Sequence, residues 1–498
     1  MGLLRTSVTH ERAVRARQRE NGAVVRVPRG TGGLAFVLVL TLAGGYAVGD
    51  LFDLLPGRFT LAPVPEIPDP FPTAPGAVGA TELATALEGL SDAAPVPGAP
   101  AVTELVTELV DHEWLNGSEG VSVLVTDVTT GSVLAAHRET QARVPASTIK
   151  ILTALAALDA LGPEATLPTR VVRSAADRIT LVGGGDMMLA ADQGDPAAVH
   201  GRAGLGDLAR TTASQLRLAG QTEVSLFFDD SLFTGAELHP TWESSYLNGG
   251  YVAPITPLAV ALGARRTDVP YPPRFLDPAR NAAEVFAKAL AEQGIVVDGA
   301  PRRQDAPEGA QEIAVVHSAT VAEITAYMLV HSENTVAEVL GRLAAIGTGL
   351  PGSFDGAAQA MRNVVVDAGL DPTGLKVVDA SGLAASAGVP ATVLAGLLEQ
   401  VARPDGDPTL RQVALGLPVA ALEGTLIDRF GEAPGAGMVR AKTGSLPGVT
   451  SLAGLLLTAD DRELAFVVLA DDTGEGGQLG PRKAIDQFVN ALAACGCS

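Results

Sequence analysis

Apolar positions along this chain keep two periods, and the switches between them mark its elements. Over residues 103–110 they recur every three or four positions, the spacing of one helix face. Residues 121–126 and 132–136 are short β-rich runs around Asp127-Val-Thr-Thr-Gly131, which predicts a strand–turn–strand hairpin. The helical period returns at 151–158, and again over 321–343 with a break at Ser332–Asn334. Residues 181–189 read as a strand running into the turn Gly183-Gly-Gly185. Near the C-terminus, residues 438–445, 450–457 and 463–470 predict three strands, and 483–494 a closing helix.

Ahead of these elements the pattern is different. Residues 1–31 are polar and basic, with seven arginines against Glu11 and Glu20, and read as a cytoplasmic tail. Residues 32–52 follow as an anchor or signal segment. Its uncharged part, 32–49, would span about 27 Å as a helix, near the hydrocarbon thickness of a bilayer. An uncleaved single-pass anchor with everything beyond exported is preferred over a cleaved signal, because the basic region is long and no clean cleavage site stands out. The catalytic part is then at the outer face of the cell membrane, or secreted if the segment is cleaved. Residues 53–100 form a Pro-rich spacer, extended and semi-stiff, interrupted by a short helical piece at 81–90.

Composition narrows the function. A net charge of −21 argues against a nucleic-acid-binding surface. The two cysteines, Cys495 and Cys497, cannot staple a 498-residue chain; a loose tail is preferred over a local bridge. The seven histidines show no metal-ligand spacing, so no metal and no organic cofactor is expected. Gly183–Gly185 lacks the residues of a phosphate loop. Asp229 and Asp230 read as a solvated turn and are assigned no chemistry.

The candidate chemistry starts at Pro145-Ala-Ser-Thr-Ile-Lys150. Ser147 and Lys150 stand three residues apart where a helix begins, so they share a face. A serine hydroxyl needs a base, and a partly buried neutral lysine can be one. A capping serine beside a solvated lysine gives the same letters, so this motif alone is weak. Ser332-Glu333-Asn334 and Lys442-Thr443-Gly444 follow, in that order. Each has a plain structural alternative, helix capping for the first and an edge-strand charge for the second.

Together the three motifs resemble the signature of penicillin-binding proteins and serine β-lactamases. The chain resembles the low-molecular-mass class C penicillin-binding proteins, the D-alanyl-D-alanine carboxypeptidase/endopeptidases, over about residues 101–490. The resemblance implies an α+β penicillin-recognising fold, an antiparallel sheet flanked by helices, in two stretches, 101–166 and 313–498. The long gap between Lys150 and Ser332 implies an inserted domain at 167–312, shorter than the family's usual insert. Met187 and Ala380 depart from the family's proline and glycine in two supporting motifs, the second being the loop Asp379-Ala-Ser-Gly-Leu383, expected to buttress the site.

The implied activity is cleavage of peptidoglycan stem peptides ending in D-Ala-D-Ala through an acyl-enzyme on Ser147, with β-lactams as covalent inhibitors. Lys150 would be the general base, its pKa lowered by desolvation and by the charge of Lys442. Ser332 would relay the proton. Asn334 would hold the substrate backbone, and Lys442, Thr443, Gly444 and Ser445 the substrate's carboxylate end. The backbone N–H groups of Ser147 and Ser445 would hold the oxyanion. A D,D-endopeptidase, a β-lactamase, a related esterase or D-amino-acid peptidase, and a catalytically silent binding or sensor domain remain open.

Overall fold

The computed structural model describes residues 44, 46, 48, 91, 93–115, 117–474 and 477–496. The basic tail, most of the 32–52 segment, the helical piece at 81–90 and nearly all of the spacer lie outside them. Among the described residues no helix is long and apolar enough to cross a membrane.

Helix α1 (Ala99–Val110) opens the globular part, with Pro100 in its first turn, where a missing N–H costs nothing. The predicted hairpin follows as β1 (Val121–Asp127) and β2 (Val133–His137), in antiparallel register with a bulge. A 3-10 turn, Ala146–Ile149, leads into α2 (Lys150–Leu161). The chain then builds β3 (Thr166–Ala175), β4 (Arg178–Val182), β5 (Asp186–Leu189), α3 (Leu205–Leu218), β6 (Glu223–Asp229), α4 (Ser244–Asn248), β7 (Leu258–Val260), α5 (Pro278–Glu292), β8 (Val296–Val297), β9 (Arg302–Arg303) and β10 (Gln311–Thr320). Helices α6 (Val321–His331), α7 (Asn334–Gly347), α8 (Phe354–Asp367), α9 (Ala391–Ala402) and α10 (Pro408–Gly416) come next. The last elements are β11 (Val439–Leu446), β12 (Val449–Leu457), β13 (Glu463–Ala470) and α11 (Leu479–Ala493).

Two sheets organise these elements. The first has the order β11-β12-β13-β1-β2 and is antiparallel throughout. Strand alternation gives it two buried faces. Leu464, Phe466 and Val468 of β13 pack with α1 and α11, while Ala465, Val467 and Leu469 face the helical core that contains α2, α7 and α9. The second sheet, β10-β3-β4-β6-β8 with β9 beside β6, draws only on residues between Thr166 and Thr320. Its first and last strands are antiparallel neighbours, so the chain enters and leaves this sheet at one place. It has a core of its own, in which Val171, Leu181 and Phe228 meet Leu208 of α3 and Phe286 of α5.

Two expectations are corrected here. Asp229 and Asp230 do not form a solvated turn. Asp229 is buried and accepts from the Ser231 and Ala306 backbone N–H groups at 2.9 and 2.8 Å. Asp230 pairs with Arg303 at 3.0 Å. Both acids therefore tie β6 to the segment around β9. The C-terminal tail is not loose thiol either, since Cys495 is disulfide-bonded.

One buried ion pair pins the first sheet. Arg462, just before β13, donates to both carboxylate oxygens of Asp127 at the end of β1. Burial raises the Asp127 pKa, but hydrogen bonds from Arg462 and Thr130 outweigh it and hold the carboxyl below its ordinary value.

Candidate active site

Three segments distant in sequence meet at the open edge of the first sheet. The turn carrying Ser147 precedes α2, the turn between α6 and α7 carries Ser332 and Asn334, and β11 forms the sheet edge. Ser147 stands in the 3-10 turn, one step before the α-helix, and no side chain caps that helix. Its neighbour Ala146 takes a φ of 47°, a left-handed conformation that costs a non-glycine residue energy. The predicted break at residue 332 is real. Ser332 ends α6 with a φ of 54°, and α7 restarts with Glu333 as its cap, accepting from the Thr335 N–H.

Lys150 is fully buried, and its Nζ has three neighbours. They are Ser147 Oγ at 2.9 Å, Asn334 Oδ1 at 2.8 Å and the Ser381 carbonyl at 2.6 Å. The last two can only accept. The Asn334 amide is oriented by its Nδ2, which donates to the Tyr251 carbonyl at 2.9 Å. A neutral amine that donates its two N–H groups to Asn334 and Ser381 therefore aims its lone pair at the Ser147 hydroxyl. This is the arrangement a general base requires.

Burial brings the Lys150 pKa down to about 8, against the charges of Asp379, Glu338 and Glu333, which pull it back up. The expected contribution of Lys442 is not among the causes; desolvation by the packed core carries the shift. Lys442 is itself fully buried, and burial, then the Lys150 charge, push its pKa well below the ordinary lysine value. Its Nζ donates to the Thr443 carbonyl at 3.2 Å.

The remaining motif residues lie along or beside β11. Thr443 Oγ1 meets Thr425 Oγ1 at 3.0 Å, and Ser445 Oγ accepts from Arg482 at 2.9 Å. A Cβ on Gly444 would stand 2.6 Å from the Pro145 carbonyl, so only glycine lets β11 lie against the Ser147 turn. Gly444→Ala is expected to lower penicillin acylation about 10²-fold through misplacement of about 1 Å, read by stopped assays on intact protein. Backbone direction on this strand is fixed as well. The Ala441 N–H donates to Pro418, and the Val439 carbonyl accepts from Ala420. Odd-numbered residues thus turn their backbone away from β12, and alternation puts the Ser445 N–H on the open edge. Among the described residues the Ser332 hydroxyl has no hydrogen-bond partner, whereas Asn334 is held on both sides.

The Asp379–Leu383 loop is closer to the chemistry than a buttress. Its Ser381 carbonyl touches Lys150 directly. Asp379 accepts from the Gly382 and Ala384 N–H groups and from Trp242 Nε1 at 2.7 Å. Glu338 of α7, fully buried, accepts from the Ala380 and Ser381 N–H groups. Burial first, then the Asp379 charge, push its pKa up to about 8. Glu338, Tyr251 and Arg482 were not foreseen. Glu338 had a signal, because Asn334, Glu338 and Arg342 recur every four residues on one helix face.

Comparison with known proteins adds an independent line. The family described as D-Ala-D-Ala carboxypeptidase 3 (S13) matches residues 102–273 and 261–492. A carboxypeptidase of Mycobacterium tuberculosis is 35% identical over 417 residues, 82% of this chain and 87% of that protein. A D-alanyl-D-alanine carboxypeptidase of an Actinomadura species is 26% identical over 484 residues, 80% of this chain and 86% of that protein. Among solved structures, penicillin binding protein 4 of Haemophilus influenzae is similar, with a TM-score of 0.65 and 20% identity over 79% of this chain and 99% of that one. That likeness is one of fold, the α+β penicillin-recognising fold.

Proposed function

Because the chain belongs to the D-Ala-D-Ala carboxypeptidase 3 (S13) family, we propose that it is a serine D-Ala-D-Ala carboxypeptidase of peptidoglycan stem peptides, with Ser147 as nucleophile. The single observation that carries the assignment of roles is the Lys150 amine. Two acceptors fix it, and its third direction is the Ser147 hydroxyl.

In this reading Lys150 takes the Ser147 proton as Oγ attacks the carbonyl of the penultimate D-alanine. The tetrahedral oxyanion forms between the N–H groups of Ser147 and Ser445, the second supported by its orientation toward the sheet edge. The C–N bond breaks, the proton passes to the leaving amine with help from the unpartnered Ser332 hydroxyl, and D-alanine departs. Water then hydrolyses the acyl-enzyme. A β-lactam enters the same first step, but its amine remains tethered, so the acyl group persists on Ser147. Asn334 serves the lysine as well as the substrate, since both ends of its amide are engaged.

Residues 32–52 are read as the anchor that holds this domain at the outer face of the membrane, and 167–312 as a domain inserted into the catalytic one. The self-contained second sheet supports the latter.

The test is release of D-alanine from a stem pentapeptide, followed by chromatography of the products. Carboxypeptidase activity yields free D-alanine and a tetrapeptide. Cleavage of cross-linked dimers without D-alanine release would replace this reading with that of an endopeptidase.

A further inference from the structure

We propose that Arg482, acting with Ser445, supplies the positive charge that selects substrates ending in a free carboxylate. The inference rests on the carboxypeptidase reading and departs from it in one respect. The expected anchor was Lys442, and its surroundings do not suit that task. Lys442 is fully buried, and its ammonium is turned to a backbone carbonyl of its own strand. Burial and the nearby Lys150 both oppose its charged form.

Arg482 has the opposite character. It lies on the first turns of α11, is exposed to solvent, and reaches Ser445 Oγ with Nη2 at 2.9 Å. The same nitrogen donates to Gln478 Oε1 at 2.6 Å. Gln478 in turn donates through Nε2 to the Leu446 and Val449 carbonyls, which close the β11–β12 hairpin. The guanidinium is thereby indexed to the catalytic strand.

No acid neutralises it. The one carboxylate nearby on its helix, Asp486, is claimed by Arg429, and among the described residues Arg482 forms no ion pair. A planar guanidinium whose acceptors are both neutral, in a chain of net charge −21, is a site looking for an anion. Its hydrogen bond also occupies a lone pair of the Ser445 hydroxyl, leaving the Ser445 O–H free to donate. A carboxylate beside Ser445 then meets one hydroxyl and one guanidinium.

The test compares two substrates in the full chain, a peptide ending in D-Ala-D-Ala and its C-terminal amide. Arg482→Gln is expected to lower kcat/KM for the acid about tenfold or more, mostly through KM, and to leave the amide within about twofold, since a charge-assisted hydrogen bond contributes about 1.5–3 kcal/mol. Arg482→Lys is expected to recover part of the preference for the acid. Equal losses on both substrates would assign Arg482 a merely structural role and overturn the inference. So would an unchanged acid-to-amide ratio in both variants. A wild-type protein that cleaves neither peptide and is not acylated by penicillin would overturn the carboxypeptidase reading itself, which the variants alone cannot do.

Discussion

Replacing Lys150 with Met is expected to slow acylation by benzylpenicillin about 10²–10⁴-fold, the range associated with loss of a general base. Methionine keeps the length and apolar character of the lysine stem, so the packing of α2 should survive. What disappears is the amine that stands 2.9 Å from Ser147 Oγ. The Ser381 carbonyl and Asn334 Oδ1 also lose a donor. Circular dichroism should nevertheless show a folded protein, because removing a fully buried amine offsets part of that cost.

The pH profile separates a base from a mere scaffold. Lys150 acts when neutral, and burial has lowered its pKa to about 8. Acylation by the wild-type protein should therefore rise with pH through about 8 and level off above it. In Lys150→Met the residual rate should lack that limb. A variant that keeps the midpoint near 8 would assign the titration to another group, with Glu338 the neighbour to examine, since its pKa is pushed up to about the same value.

The second large effect is expected at Gly382. Its φ is 81°, and a Cβ there would stand 2.0 Å from the Ala146 carbonyl, a backbone atom that cannot swing aside. Gly382→Ala therefore meets two penalties. Alanine disfavours the left-handed conformation by about 1 kcal/mol, and overpacking of this kind costs about 1–3 kcal/mol more. A loss of about 2–4 kcal/mol should be read from the urea midpoint with the slope unchanged. The loop must also move away from the Ser147 turn, taking the Ser381 carbonyl from Lys150. Acylation should fall beyond what the unfolded fraction explains. Full activity in a destabilised variant would show that the Ser381 contact is dispensable.

What could be read from the sequence depended on how local each signal was. Ser147 and Lys150 share a face because they are three residues apart. The break at Ser332 and the glycine of Lys442-Thr443-Gly444 are also written within a few letters. The strands of the first sheet were visible as well, because both of its faces are buried and its runs are continuously apolar. The order of the strands was not, since β1 joins β13 across more than three hundred residues.

The parts missed share a physical cause. The acceptors that orient Lys150 include a backbone carbonyl 231 positions away, and the one that orients Asn334 is a carbonyl 83 away. A carbonyl has no letter of its own. Arg482 reaches Ser445 only after β12 and β13 have been laid down and α11 has turned back over the sheet. Asp229 and Asp230 were misread for the same reason, because their partners Ala306 and Arg303 come from the far end of the second sheet.

The most direct measurement is mass spectrometry of the protein after incubation with benzylpenicillin, beside a Ser147→Ala control. The account predicts one stable adduct, mapped to the peptide that carries Ser147 and absent from the control. An adduct that persists in Ser147→Ala would place the nucleophile elsewhere. A wild-type protein that forms no adduct and hydrolyses no penicillin would contradict acyl transfer at this site and favour a catalytically silent binding domain.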